Sequence, residues 1–198
     1  MELPVMVMMF LLGLGMIWAM QGLTKTFIKF SRSRKSSRSQ AHKHFIQGAQ
    51  LLAASRLPRN KAAKGRAMAH KAVAEADQAI ALDPNDAASH ILKGLALEQL
   101  GNTSAALRSL SVALSPPVCL GLSPVEKADA LVRRAGLQLA TFKGKKGAKA
   151  ALEDLQASKS LNFDNPKAQS LLDTCYQRLG MDKRSQGLEQ AAATDPTH

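Results

Sequence analysis

The residues that could do chemistry are few and scattered. His42 and His44 stand one residue apart, Cys119 and Cys175 lie far from one another, and Asn102-Thr103-Ser104 matches a glycosylation acceptor. The two histidines have no acidic or thiol neighbour in sequence, so a solvated helix start accounts for them better than a metal site. Two separated cysteines in an otherwise ordinary composition read as free thiols, not as a disulfide framework. The Asn102 triplet matters only if the domain faces a lumen, and is otherwise a helix cap and first turn. No HExxH, GxSxG, GxGxxG, GxxxxGK[ST] or CxxC occurs, so the sequence predicts neither catalysis nor a cofactor or metal.

Charge is the stronger signal. The chain has 198 residues, with 27 Lys+Arg against 15 Asp+Glu and a formal charge of +12, the kind of balance that suits phosphate binding. Between Glu2 and Glu75 there is no acidic residue but thirteen basic ones, whereas fourteen of each sign follow from Glu75 onward. Read by position, this is a neutral domain behind a basic neck, which argues against nucleic acid as the main partner. Aromatic residues make up only 4%, so the core has to be built from Ala, Leu, Ile, Val and Met, as in packed helices.

These residues must be carried by elements, and the first is a membrane segment. Leu3 to Leu23 contains no charged side chain, and as a helix it would reach about 31 Å, roughly one hydrocarbon core. Gly13 and Gly15 are at home in membrane helices, and Trp18 suits the interfacial end. A cleaved signal peptide would need a basic start and a small-x-small site, but only Glu2 precedes the segment and Ala19-Met20-Gln21 is a poor match. Lys25, Lys29, Arg32, Arg34, Lys35 and Arg38 follow it and no basic residue precedes it, so the positive-inside rule leaves the C-terminal side in the cytosol. The expectation is a single-pass anchor (1–24) in the endoplasmic reticulum or an organelle outer membrane, then a basic Ser/Arg-rich linker (25–40). Ser31 to Ser39 has no apolar periodicity; it could lie on anionic headgroups or bind RNA, although no aromatic is interleaved for base stacking.

Beyond the linker, Ala41–Leu57, Ala62–Leu82, Ala87–Leu100, Thr103–Leu114, Pro124–Thr141, Ala148–Leu161 and Pro166–Leu179 carry apolar residues at three- and four-residue spacing and are predicted helices. Asp86, the Ser123-Pro124-Val125-Glu126 capping box and Asn165-Pro166 mark starts, and Gly101 and Gly180 mark ends. No run alternates with period two. A cadence of small residues repeats as Ala72, Ala76, Ala79; Ala106, Leu110, Ala113; and Ala151, Leu155, Ser158. Small residues at that spacing let two antiparallel helices approach closely.

In this respect the chain resembles the tetratricopeptide repeat family, whose helical hairpins of about thirty-four residues stack into a right-handed superhelix with a peptide-binding groove. Residues 87–120 match best, with Gly94, Leu97, Ala106, Leu110 and Ala113 at the family's small and large positions. Weaker units run over 41–84, with a basic insertion around Pro58 to Arg66, and over 129–163, with extra residues near Lys143 to Gly147. A partial unit (166–185) and a frayed tail (186–198) follow. The resemblance implies an all-α right-handed superhelix, and a groove lined by His42, Phe45, Ala88, Ile91, Leu95, Asp129 and Arg133. The family's clamp for chaperone C-terminal carboxylates falls here on Ala49 and Leu92 where Asn is needed and on Asp129 where Lys is needed, with only Arg133 in place. Each charge-assisted hydrogen bond lost is worth roughly 1.5–3 kcal/mol, so chaperone tails are not expected as ligands. The resulting expectation is a membrane-anchored, non-catalytic adaptor for a protein or peptide. The alternative makes the basic neck the active part, binding RNA or anionic lipid while the repeats oligomerise.

Overall fold

The computed structural model describes residues 37–57, 62–161 and 165–181, so the segment 3–23, the basic residues Lys25, Lys29, Arg32, Arg34 and Lys35, and the tail 186–198 lie outside the described residues. Among the described residues every regular element is helical: α1 (37–55), α2 (Ala62–Leu82), α3 (Ala87–Gln99), α4 (Thr103–Ala113), a 3₁₀ turn (Val118–Gly121), α5 (Pro124–Thr141), α6 (Lys145–Ser160) and α7 (Pro166–Leu179). No helix among them is long and apolar enough to cross a membrane.

The helix ends follow local chemistry. Asp86 accepts from the Ala88 and Ser89 amides at the start of α3, and Asn102 from Ala105 at the start of α4. Ser123 and Glu126 form the reciprocal capping box of α5, and Asn165 caps α7 ahead of Pro166. Gly101 and Gly180 take positive φ just past α3 and α7, a conformation that costs glycine little.

Three antiparallel hairpins result: α1 with α2, α3 with α4, and α5 with α6. The small residues that repeat in the sequence are the ones buried between partners. Ala72, Ala76, Ala79, Ala106, Leu110 and Ala113 have no exposure, and Ala151, Leu155 and Ser158 have at most 1%. Glycine permits the closest approaches. A Cβ on Gly48 would stand 2.9 Å from Leu92 Cδ2, and one on Gly94 would stand 3.0 Å from Leu110 Cγ. Serines on these faces satisfy their hydroxyls across the hairpin, Ser109 donating to the His90 carbonyl at 2.8 Å and Ser158 to that of Ala128 at 3.2 Å.

Successive hairpins then share cores. Leu52, Ala72, Ala76, Leu92 and Ala96 join α1, α2 and α3; Leu137 of α5 packs on Ala106 and Leu110; and α7 closes a cluster of Val132, Ala135, Leu139, Ala148, Ala151 and Leu155 with Cys175. Burial raises the Cys175 thiol above its ordinary range, as expected for an inert core sulfur. The starts of α1, α3 and α5 lie around one cavity, and Arg178 near the end of α7 donates to the Leu139 carbonyl at 2.8 Å. The first helices of the hairpins, with α7, therefore run parallel, and all first-to-second helix corners fall at the opposite end.

Two helix starts differ from the sequence expectation, and α1 ends at 55, two residues before Leu57. Residues 37–40, expected as linker, are helical, because Ser37 Oγ donates to the Leu82 carbonyl at 2.9 Å and Arg38 pairs with Asp83 at 3.1 Å, both contacts 45 residues away in sequence. Helix α6 starts at Lys145 and not Ala148, since Gly147 seats its backbone directly against the Phe142 carbonyl and brings the supposed loop into the first turn. A larger correction concerns charge. Lys43, Arg56, Lys64, Arg66 and Lys71 lie exposed on or beside α1 and α2, so the helical domain itself carries part of the basic charge that reads by position as a neck.

The glycines provide a test. In Gly147→Ala the new methyl meets fixed backbone, with the Gln138 carbonyl only 3.0 Å away as well, so a loss of about 1–3 kcal/mol is expected. In Gly136→Ala the nearest atom is Leu171 Cδ1 at 3.8 Å, ordinary contact, and helix propensity should stabilise by about 0.5–1 kcal/mol. Urea unfolding followed by circular dichroism should separate the two in sign.

Candidate functional site

The seven residues expected to line a groove all fall on α1, α3 and α5, but in distinct surroundings. His42 is exposed on α1 and stacks on Phe45, ring centroids 6.3 Å apart and planes 17° from parallel. Phe45 and Leu95 are half-buried against the core shared by α1, α2 and α3, while Ile91 packs on the Ala106, Leu110 and Leu137 cluster. Asp129 and Arg133 pair with each other one turn apart on α5 at 2.7 Å. Leu92, expected from the resemblance at a carboxylate-holding position, is 4% exposed and packs against Gly48.

Only His42 and Ala88 of the seven border the cavity at the starts of α1, α3 and α5. It has a volume of about 340 Å³, and its polar wall includes Arg38, Asp83, Asn85, Asp86 and Glu126. Its charged groups already have partners. Arg38 pairs with Asp83; Asp86 accepts from the Ala88 and Ser89 amides and from Ser89 Oγ; and Glu126 accepts from the Ser123 amide at 2.9 Å and its hydroxyl at 2.7 Å. The Ser123 hydroxyl, then the Ser123 amide, hold the Glu126 carboxyl below the ordinary glutamate range. Sequence reasoning read Asp86 and Glu126 only as caps and Arg38 only as membrane flank. What brings them together is the parallel stacking of helices that start at residues 37, 87 and 124.

Other polar pairs tie helices together. The α1–α2 hairpin is joined by His44 Nδ1 and Glu75 Oε2 at 2.8 Å, and α5–α6 by a bidentate Arg134–Asp154 pair at 2.7 and 2.6 Å, with Asp154 buried. Their spacings of 31 and 20 residues follow no local rule and have no sequence signature. Among the described residues no group of three or more His, Cys, Asp or Glu is arranged to hold a metal ion. Neither the family models nor the curated proteins compared with the chain give a match, so the fold and this geometry are the basis for any functional reading.

Glu126 provides the test here. A carboxyl held low stabilises the fold above the ordinary glutamate pKa, and that contribution is lost as pH falls through the lower folded value. In Ser123→Ala the strongest cause is gone, so NMR titration of the Glu126 carboxyl should move up toward the ordinary range, while loss of the cap costs about 1 kcal/mol at neutral pH.

Proposed function

We propose that the chain is a non-catalytic, membrane-anchored adaptor whose hairpins are tetratricopeptide-like repeats, wound into a right-handed superhelix with α7 as its cap. The observation that carries this reading is the parallel arrangement of α1, α3, α5 and α7, built from hairpins that Gly94 and the buried alanines bring close and with α1 meeting α3 at Gly48 and Leu92. Such stacking leaves one row of first-helix faces to meet a protein or peptide partner. On this reading the partner lies along His42, Phe45, Ala88, Ile91, Leu95, Asp129 and Arg133, and chaperone C-terminal tails are excluded because Leu92 and Asp129 replace the required donors.

The segment 3–23 holds the domain on the cytosolic side of the endoplasmic reticulum or an organelle outer membrane, with Lys25, Lys29, Arg32, Arg34, Lys35 and Arg38 setting the topology. Tethering raises effective concentration, so even a weak groove is useful there.

Two measurements decide it. Under alkaline carbonate the protein should stay with the membrane, and added protease should digest the helical domain of intact vesicles; release by carbonate, or a shielded domain, contradicts the anchor. Proximity labelling from the anchored protein should then lose a discrete set of partners in a His42→Ala/Arg133→Ala variant and keep them when only Arg34 and Lys35 become Gln, a change that leaves Lys25, Lys29 and Arg32 to set the topology. The reverse pattern supports the neck as the binding element.

A further inference from the structure

The end of the stack formed by the first-to-second helix corners combines charge with exposed apolar tips. At the α1–α2 corner Arg56, Lys64 and Arg66 are exposed beside Leu57, which is 41% exposed. At the α5–α6 corner Lys143, Lys145, Lys146 and Lys149 are exposed beside Phe142, 40% exposed, and Met181 past the end of α7 is 38% exposed. None of these seven cations has an ion pair among the described residues. Arg178 joins the second corner to α7 by donating to the Leu139 and Phe142 carbonyls. In the corner segments 56–57, 62–66, 98–103, 142–149 and 178–181 the one acidic residue is Glu98.

We propose that this corner end docks on an anionic lipid surface. The two corners are far apart in sequence, and the parallel first helices bring them to the same end, so a flat surface can meet both at once. Lysines supply attraction to anionic headgroups, and Leu57, Phe142 and Met181 are the kind of apolar tips that enter the headgroup boundary. A nucleic acid would use the charge but has no use for aliphatic tips at Leu57 and Met181. The opposite end also exposes apolar side chains, Leu120 at 80% and Val125 at 61%, but there the cavity wall sets three carboxylates, Asp83, Asp86 and Glu126, against one cation, Arg38, a balance that an anionic surface repels. The charge pattern therefore selects the corner end. Docking is separate from the proposed anchor and does not require it.

The test uses the full chain with Phe142→Trp in a Trp18→Phe background, so that position 142 carries the only indole. It is added to vesicles of phosphatidylcholine, or of phosphatidylcholine with phosphatidylserine, each containing brominated lipid. With phosphatidylserine the indole emission of the Phe142→Trp protein should shift to the blue and be quenched; with neutral vesicles or at raised salt it should not. Reversing Lys143, Lys145, Lys146 and Lys149 to Glu should weaken the response by at least about a hundredfold, and the salt dependence of the unreversed protein gives the same reading without relying on that variant's folding. A Val125→Trp probe in the same background should stay unquenched. Unchanged emission from the Phe142→Trp protein on phosphatidylserine vesicles, quenching at Val125→Trp instead, or a response of the Phe142→Trp protein to single-stranded RNA but not to phosphatidylserine overturns the proposal. Flotation with neutral vesicles reports the anchor independently, so failure of the two readings can be told apart.

Discussion

Close approach of helix backbones is the constraint on which the rest of this structure depends. Gly48 against Leu92, Gly94 against Leu110, and Gly147 against the Phe142 carbonyl leave no room for a Cβ without displacement. Between those points the contact faces are lined with alanine, whose burial removes little apolar area per residue but permits short interhelix distances. The domain therefore relies on the length and closeness of its interfaces more than on large side chains. This also explains why serines are tolerated on these faces: at such distances Ser109 and Ser158 reach a carbonyl of the facing helix, so their burial leaves no unmet donor.

The same packing decides where charge goes. With the first helices parallel, the starts of α1, α3 and α5 bring Asp83, Asp86 and Glu126 around one cavity, each already engaged by Arg38 or by a cap. The opposite corners gather basic side chains that have no such partners. A chain whose excess charge reads in sequence as a neck thus has a helical domain with two ends of different character. Two of the polar pairs within the domain, Arg134–Asp154 and His44–Glu75, join the two helices of a hairpin and reinforce a contact that small residues already bring close, while Lys93–Asp77 links α3 to α2 of the preceding hairpin.

Much of the secondary structure could be read from sequence because its determinants are local. Helix periodicity, the Ser123–Glu126 box, Asp86, Asn102, Asn165 and the glycines at 101 and 180 all act within a turn or two, and α2, α3, α4, α5 and α7 begin and end within one residue of the expected positions. The first turn of α1 and the start of α6 could not be read that way. The former depends on Leu82 and Asp83, 45 residues away, and the latter on Gly147 meeting Phe142 across a tight corner. The candidate face was legible only as a set of positions. His42 and Phe45 stack and Asp129 and Arg133 pair as their helical spacing allows, but the division of Ile91 and Leu95 between two different cores arises from interhelix packing.

By itself, the sequence determined an all-helical chain of capped amphipathic segments with small residues at hairpin spacing, together with an apolar, uncharged stretch over 3–23 followed by basic residues. Those features rest on interactions between neighbours a few residues apart. Only the tertiary structure decided that Leu92 is core, that Asp83, Asp86 and Glu126 share a cavity wall, and that two basic corners share an end. Each of these is a contact or a shared surface between helices far apart in the chain, and the spacing of residues along one helix carries no information about what a parallel neighbour places beside it.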